Sequence, residues 1–133
     1  MLQKEGTQLI VMAKALAGLE TGAPVLADTD IVTADLFQVL ASPIRLGVVR
    51  LLLDGERSVG DLLSELGIAQ PRLSNHLACL RNCGLVRTRR QGNFIYYAIA
   101  DPRVVEIVRM GEALAALNAQ ELASCDVLQQ ERY

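Results

Sequence analysis

The sequence predicts a mainly α-helical fold with one small β-hairpin, and three observations lead there. Two short amphipathic segments are separated by a tight turn containing Gly67, which is helix-turn-helix spacing. Directly after Gly84 the apolar period changes from helical to alternating, over residues 85–90 and 94–99. Longer apolar-rich helical stretches flank this middle on both sides. A helix-turn-helix followed at once by a hairpin is a winged helix-turn-helix. The flanking helices carry more apolar surface than one small core needs, which leaves a surplus for a partner subunit.

Each element has its own signal. Residues 4–19 read as a helix with Leu9, Met12, Ala13, Leu16 and Leu19 on one face, broken after Thr21 by Gly22 and Pro24. A second helix is expected over residues 33–41, with Leu36, Phe37 and Leu40 on one side. Ser42-Pro43 then opens a third, because proline suits the first helical position. Ser58-Val59-Gly60-Asp61 resembles a capping box with aspartate in the acidic place, and Gly67 supplies the left-handed residue that ends the helix. Gln70-Pro71 starts the next helix, which runs through Leu73, Leu77 and Leu80 to Gly84. A three-residue connection, Gln91-Gly92-Asn93, joins the two strands. Asp101-Pro102 launches a long helix to about residue 122. The expected organisation is therefore a dimerisation helix and linker (1–30), the winged unit (31–101), a second dimerisation helix (102–122) and a tail (123–133).

Composition narrows the class. The 133 residues suffice for one domain with a real core. They are 51% hydrophobic but only 4% aromatic, so Leu, Val, Ile and Ala supply the apolar mass and favour helices. No run reaches the roughly 18 apolar residues that a membrane span needs, and residues 1–5 do not resemble a signal peptide. A cytoplasmic protein with no membrane partner, and with reduced cysteines, is expected. The net charge of −2 looks wrong for a nucleic-acid binder, but its distribution does not. Residues 31–103 hold nine Arg against six acids, while both flanks are acidic.

Those arginines and their polar neighbours fall where such a fold meets double-stranded DNA. On the second helix of the pair, Leu73, Leu77 and Leu80 take the inner stripe and leave Gln70, Arg72, Ser74 and Asn75 outward. Gln and Asn can pair bidentately with adenine, and Arg with guanine. His76 lies beside the apolar stripe, half-buried or facing a phosphate. The hairpin offers Arg89, Arg90, Gln91 and Asn93 for backbone or minor-groove contact. Any one of these alone is an ordinary solvated position; their clustering at two places is what points to operator DNA. No nucleophile–base pair, phosphate-cradling glycine loop or acidic metal cluster suggests an enzyme.

The stretches Leu40-Ala41-Ser42-Pro43-Ile44-Arg45, Gln70 through Leu77, and Gly84-Leu85-Val86 resemble the ArsR/SmtB family of metal-responsive repressors, over about residues 33–122. The resemblance implies a DNA-binding homodimer built on the first and last helices. Two of the family's metal arrangements are missing: Val59-Gly60-Asp61-Leu62-Leu63 lacks the Cys-x-Cys pair, and the last helix lacks histidine. What remains is similar to the CmtR-type cadmium/lead sensors, which implies a site made of Cys79, Cys83 and Cys125.

The chemistry of that set is coherent. Helical positions i and i+4 bring side chains within about 5–6 Å, so the thiolates of Cys79 and Cys83 can chelate one ion. Soft thiolates favour a cadmium or lead ion as effector, with mercury or arsenite as further candidates. The expected function is release of operator DNA on metal binding. Three rivals stand beside it: Cys79 and Cys83 as small buried hydrophobes, a thiol-redox or non-metal regulator of the same family, and a winged-helix protein-interaction module.

Overall fold

The computed structural model describes residues 9, 10, 12, 13 and 28–131, so the expected helix over residues 4–19 lies mostly outside the described residues. The chain divides into two compact units, residues 1–42 and 43–133.

In the first unit, helix α1 spans Asp28–Leu40 and begins five residues before the sequence suggested. Asp28 and Asp30 occupy its first turn, where negative charge is favoured by the exposed N–H groups and the helix dipole. The Thr33 hydroxyl donates to the Thr29 carbonyl at 2.8 Å. Aspartates that read as linker are thus the start of the helix. Ile31, Val32 and Phe37 on α1 are exposed.

The second unit is the winged helix. Helix α2 (Pro43–Leu52) buries Val48, Val49 and Leu52. A two-residue strand, β1 (Arg57–Ser58), follows, and Ser58 then caps helix α3 (Val59–Leu66). The capping box is complete. The Asp61 N–H donates to Ser58 Oγ at 3.1 Å, and the Ser58 N–H donates to Asp61 Oδ2 at 3.2 Å. Gly67, at φ 63°, ends α3 with its N–H on the Leu63 carbonyl.

Helix α4 (Gln70–Asn82) starts after only three residues and buries Leu73, Leu77 and Leu80. Strands β2 (Val86–Gln91) and β3 (Phe94–Ile99) form the hairpin, paired from Val86↔Ile99 to Gln91↔Phe94. Gln91 therefore belongs to β2 and the connection is two residues long, not three. Gly92 takes φ 60° at the first position of that turn, as a tight primed turn requires. The sheet order is β1-β3-β2, all antiparallel; β1 was too short to show in the sequence.

Helix α5 (Pro102–Leu117) is capped by Asp101, whose Oδ1 accepts from the Arg103 N–H at 2.9 Å. It stops five residues short of expectation. At its end the Asn118 N–H still makes the i to i−4 bond to the Leu114 carbonyl, and the Asn118 side chain donates to the same oxygen at 2.9 Å. Two short helices follow, α6 (Ala119–Ala123) and α7 (Asp126–Glu131), with Cys125 between them. Of the tail, Asp126–Glu131 is helical. Among the described residues, no single helix is long and apolar enough to cross a membrane.

Candidate nucleic-acid interface and thiol pair

Helix α4 carries most of the predicted chemistry. Its burial follows the expected stripe: Leu73 and Leu80 are 0% exposed and Leu77 is 2% exposed. Gln70, Arg72, Ser74 and Asn75 are exposed, as a row of groups that read base edges must be. The row begins at the helix N-terminus, the end that reaches a major groove in helix-turn-helix docking.

His76 is half-buried and has a partner that the sequence did not suggest. Arg45 Nη1 lies 3.2 Å from His76 Nδ1. A guanidinium only donates, so this contact needs a neutral ring with its proton on Nε2. Burial first, then the charges of Arg45 and Arg72, push the His76 pKa below the usual imidazole value.

The hairpin divides its polar residues between two faces. Alternation along β2 puts Arg90 on the face of buried Val86, and Arg87, Arg89 and Gln91 on the other. Arg90 is exposed and Asn93 stands in the turn beside Gly92. Arg89 is differently placed. Its Nε donates to Glu56 Oε2 at 2.8 Å and its Nη2 pairs with Glu56 Oε1. Its Nη1 donates to Gln91 Oε1 at 2.7 Å, and its guanidinium carbon lies 4.6 Å from the Tyr96 ring centre. The guanidinium holds the Glu56 carboxyl below the usual carboxylate range. Glu56, Arg45 and Tyr96 were not among the expected functional residues, and no spacing in the sequence marks Glu56 and Arg89 as neighbours.

Cys79 and Cys83 occupy consecutive turns of one helix face. The Cys83 N–H donates to the Cys79 carbonyl at 3.0 Å, the i to i+4 bond that fixes this relation. Cys79 is half-buried, whereas Cys83 is exposed at the helix C-cap. Cys125 is half-buried at the α6–α7 break, and all three cysteines stand as thiols. Among the described residues of one chain, no three His, Cys, Asp or Glu side chains are close enough to hold a metal ion. The helical pair is formed; the three-cysteine set is not gathered within a single chain.

The profile of the bacterial regulatory proteins of the arsR family matches residues 42–88, from the start of α2 into the hairpin. A probable mercury resistance operon repressor of Streptomyces lividans is 42% identical over 111 residues, which cover 84% of this chain and 89% of that protein. This chain belongs to the ArsR family. Also similar is the transcriptional regulator CmtR of Mycobacterium bovis, 44% identical over 86 residues, covering 65% of this chain and 71% of CmtR. Among solved structures, a homodimeric winged helix-turn-helix DNA-binding domain from M. bovis, a possible ArsR-family regulator, superposes with a TM-score of 0.59. It is 32% identical and covers 64% of this chain and 79% of that one. The ArsR fold accounts for the winged unit and places the chain among transcription regulators rather than enzymes.

Proposed function

We propose that this ArsR-family protein is a homodimeric repressor that binds operator DNA and releases it on taking up a soft metal ion. The observation that carries the reading is the double use of α4. One surface presents Gln70, Arg72, Ser74 and Asn75, and the last turns present Cys79 and Cys83. A ligand on the thiols therefore acts on the element that reads the bases.

In this reading α4 enters the major groove, with His76 beside the row. Arg90, Gln91 and Asn93 approach the sugar-phosphate backbone, while Arg89 belongs to the same basic set but is committed to Glu56. Cys79 and Cys83 hold the ion as thiolates, and Cys125 joins them from the tail of the same subunit or its partner. The i to i+4 relation of Cys79 and Cys83 supports their sharing one ion; Cys125 must be brought to it. A soft ion would supply a cross-link between thiolates, so its uptake displaces protons and weakens at low pH. The name of the mercury resistance repressor supports a metal effector; the soft thiolates and the resemblance to cadmium/lead sensors put cadmium or lead first, with mercury or arsenite next. If the metal-bound shape fits DNA less well, metal and DNA weaken each other reciprocally.

The test uses reduced protein and a duplex that it enriches from a randomised library. Adding Cd(II), Pb(II), Hg(II) or As(III) should lower the affinity for that duplex with at least one of them; no loss with any sinks the proposal. The same titrations read by absorption should show thiolate-to-metal charge transfer. That band should be lost in Cys79→Ser and in Cys83→Ser, and weakened or shifted in Cys125→Ser.

A further inference from the structure

We propose that Glu56 is a positioning residue for DNA binding, using Arg89 as a strut across the wing rather than leaving it to contact phosphate. The inference rests on the DNA-binding reading above and assigns a role to two residues within it.

The sheet order makes the strut possible. β1 and β2 are the outer strands and β3 lies between them. Glu56 immediately precedes β1, while Arg89 lies on β2 opposite Tyr96 of β3. The Glu56–Arg89 pair therefore spans the middle strand and ties the hairpin's outer edge to the corner between α2 and β1. The contact is bidentate, with Nε and Nη2 each engaging one carboxylate oxygen. Nη1 is engaged as well, by Gln91, and the plane is seated on the Tyr96 ring. A guanidinium engaged at all three nitrogens is fixed in orientation. A phosphate approaching it also meets the carboxylate of Glu56.

Face geometry separates Arg89 from its neighbour. Arg89 shares its side of β2 with Arg87 and Gln91, while Arg90 shares the opposite side with buried Val86. Among the described residues Arg90 forms no ion pair. The two consecutive arginines thus divide the labour. Arg89 sets the hairpin's attitude, and Arg90 with the Gly92-Asn93 turn meets the duplex. A two-stranded hairpin is weak alone, so an added tie at its outer edge bears on where its tip points.

The salt dependence of binding distinguishes a strut from a phosphate ligand. Each phosphate contact adds about 0.9 to the slope of log affinity against log salt concentration. The Glu56→Gln/Arg89→Gln double variant removes the strut without changing net charge. It is expected to bind the library-enriched duplex roughly two- to fivefold more weakly than wild type, at an unchanged slope. Glu56→Asp, which keeps the charge but shortens the reach, should weaken binding in the same way. Arg90→Ala should flatten the slope by about one contact per protomer. Amide hydrogen exchange of residues 86–99 without DNA should quicken in both strut variants and not in Arg90→Ala. A double variant whose slope flattens like that of Arg90→Ala overturns the proposal, as does unchanged or tighter binding by Glu56→Asp. Failure of the DNA-binding reading looks different: wild type would then show no salt-dependent affinity for any duplex.

Discussion

At the scale of single residues, His76 shows how one contact fixes a protonation state. Arg45 has only donors to offer, so the ring must accept at Nδ1 and stay neutral. Its pKa lies below the unperturbed value of 6.5, because burial and two arginines oppose a further positive charge. The unfolded chain therefore takes up this proton first as the pH falls. The stability linked to neutral His76 is present above the unfolded pKa and is lost as the pH drops through the lower folded value. His76→Asn keeps a hydrogen-bond acceptor but cannot titrate. Denaturant unfolding of this variant from about pH 7 downward should lack the wild-type decline attributable to this group. A decline identical to wild type would show that His76 does not contribute it. In the sequence His76 was one polar letter beside a leucine stripe, and its partner sits 31 positions away.

At the scale of elements, local signals were read most accurately where the chemistry is itself local. The Ser58–Asp61 box, the Gly67 stop and the Asp101 cap all form as their spacing implied, because each closes over three residues or fewer, or at one residue's φ. Loss of the Ser58 hydroxyl leaves the Asp61 N–H at the start of α3 without its partner. Ser58→Ala is expected to destabilise the fold by about 1–2 kcal/mol, while Ser58→Asp should recover much of it. Chemical denaturation of the pair checks this, and equal stability of the alanine variant and wild type would exclude the cap's contribution. Proline at the first turn placed the starts of α2 and α4 equally well, whereas the start of α1 and the end of α5 differ from expectation. α1 takes in Asp28 and Asp30, where acidic residues suit a first turn, and α5 ends at Leu117, where the Asn118 side chain also engages the Leu114 carbonyl.

At the scale of the whole molecule, α5 leaves Met110, Leu114 and Leu117 at 73%, 63% and 81% exposure in the single chain. These follow an i, i+4, i+7 spacing, so they form one apolar stripe of the kind that a partner subunit covers. Leu114→Glu places a charge in that stripe. For the homodimer proposed above, it is expected to shift sedimentation from dimer to monomer and to lower DNA affinity with it, since two half-sites would then no longer be held together. A variant that remains dimeric would remove α5 from the interface.

The sequence by itself determined the winged helix-turn-helix order, the buried leucines of α4, the outward polar row and the placing of Cys79 and Cys83 one turn apart. All of these depend on short-range periodicity, which the backbone imposes wherever the helix forms. Tertiary structure alone decided the third strand, the pairing of Arg45 with His76 and the engagement of Arg89 by Glu56 across β3. Each joins residues distant in the chain, and their approach depends on how the helices and strands pack. Arginines that look alike in a row of letters are thereby divided, because Arg89 is brought to a carboxylate and Arg90 faces the other way.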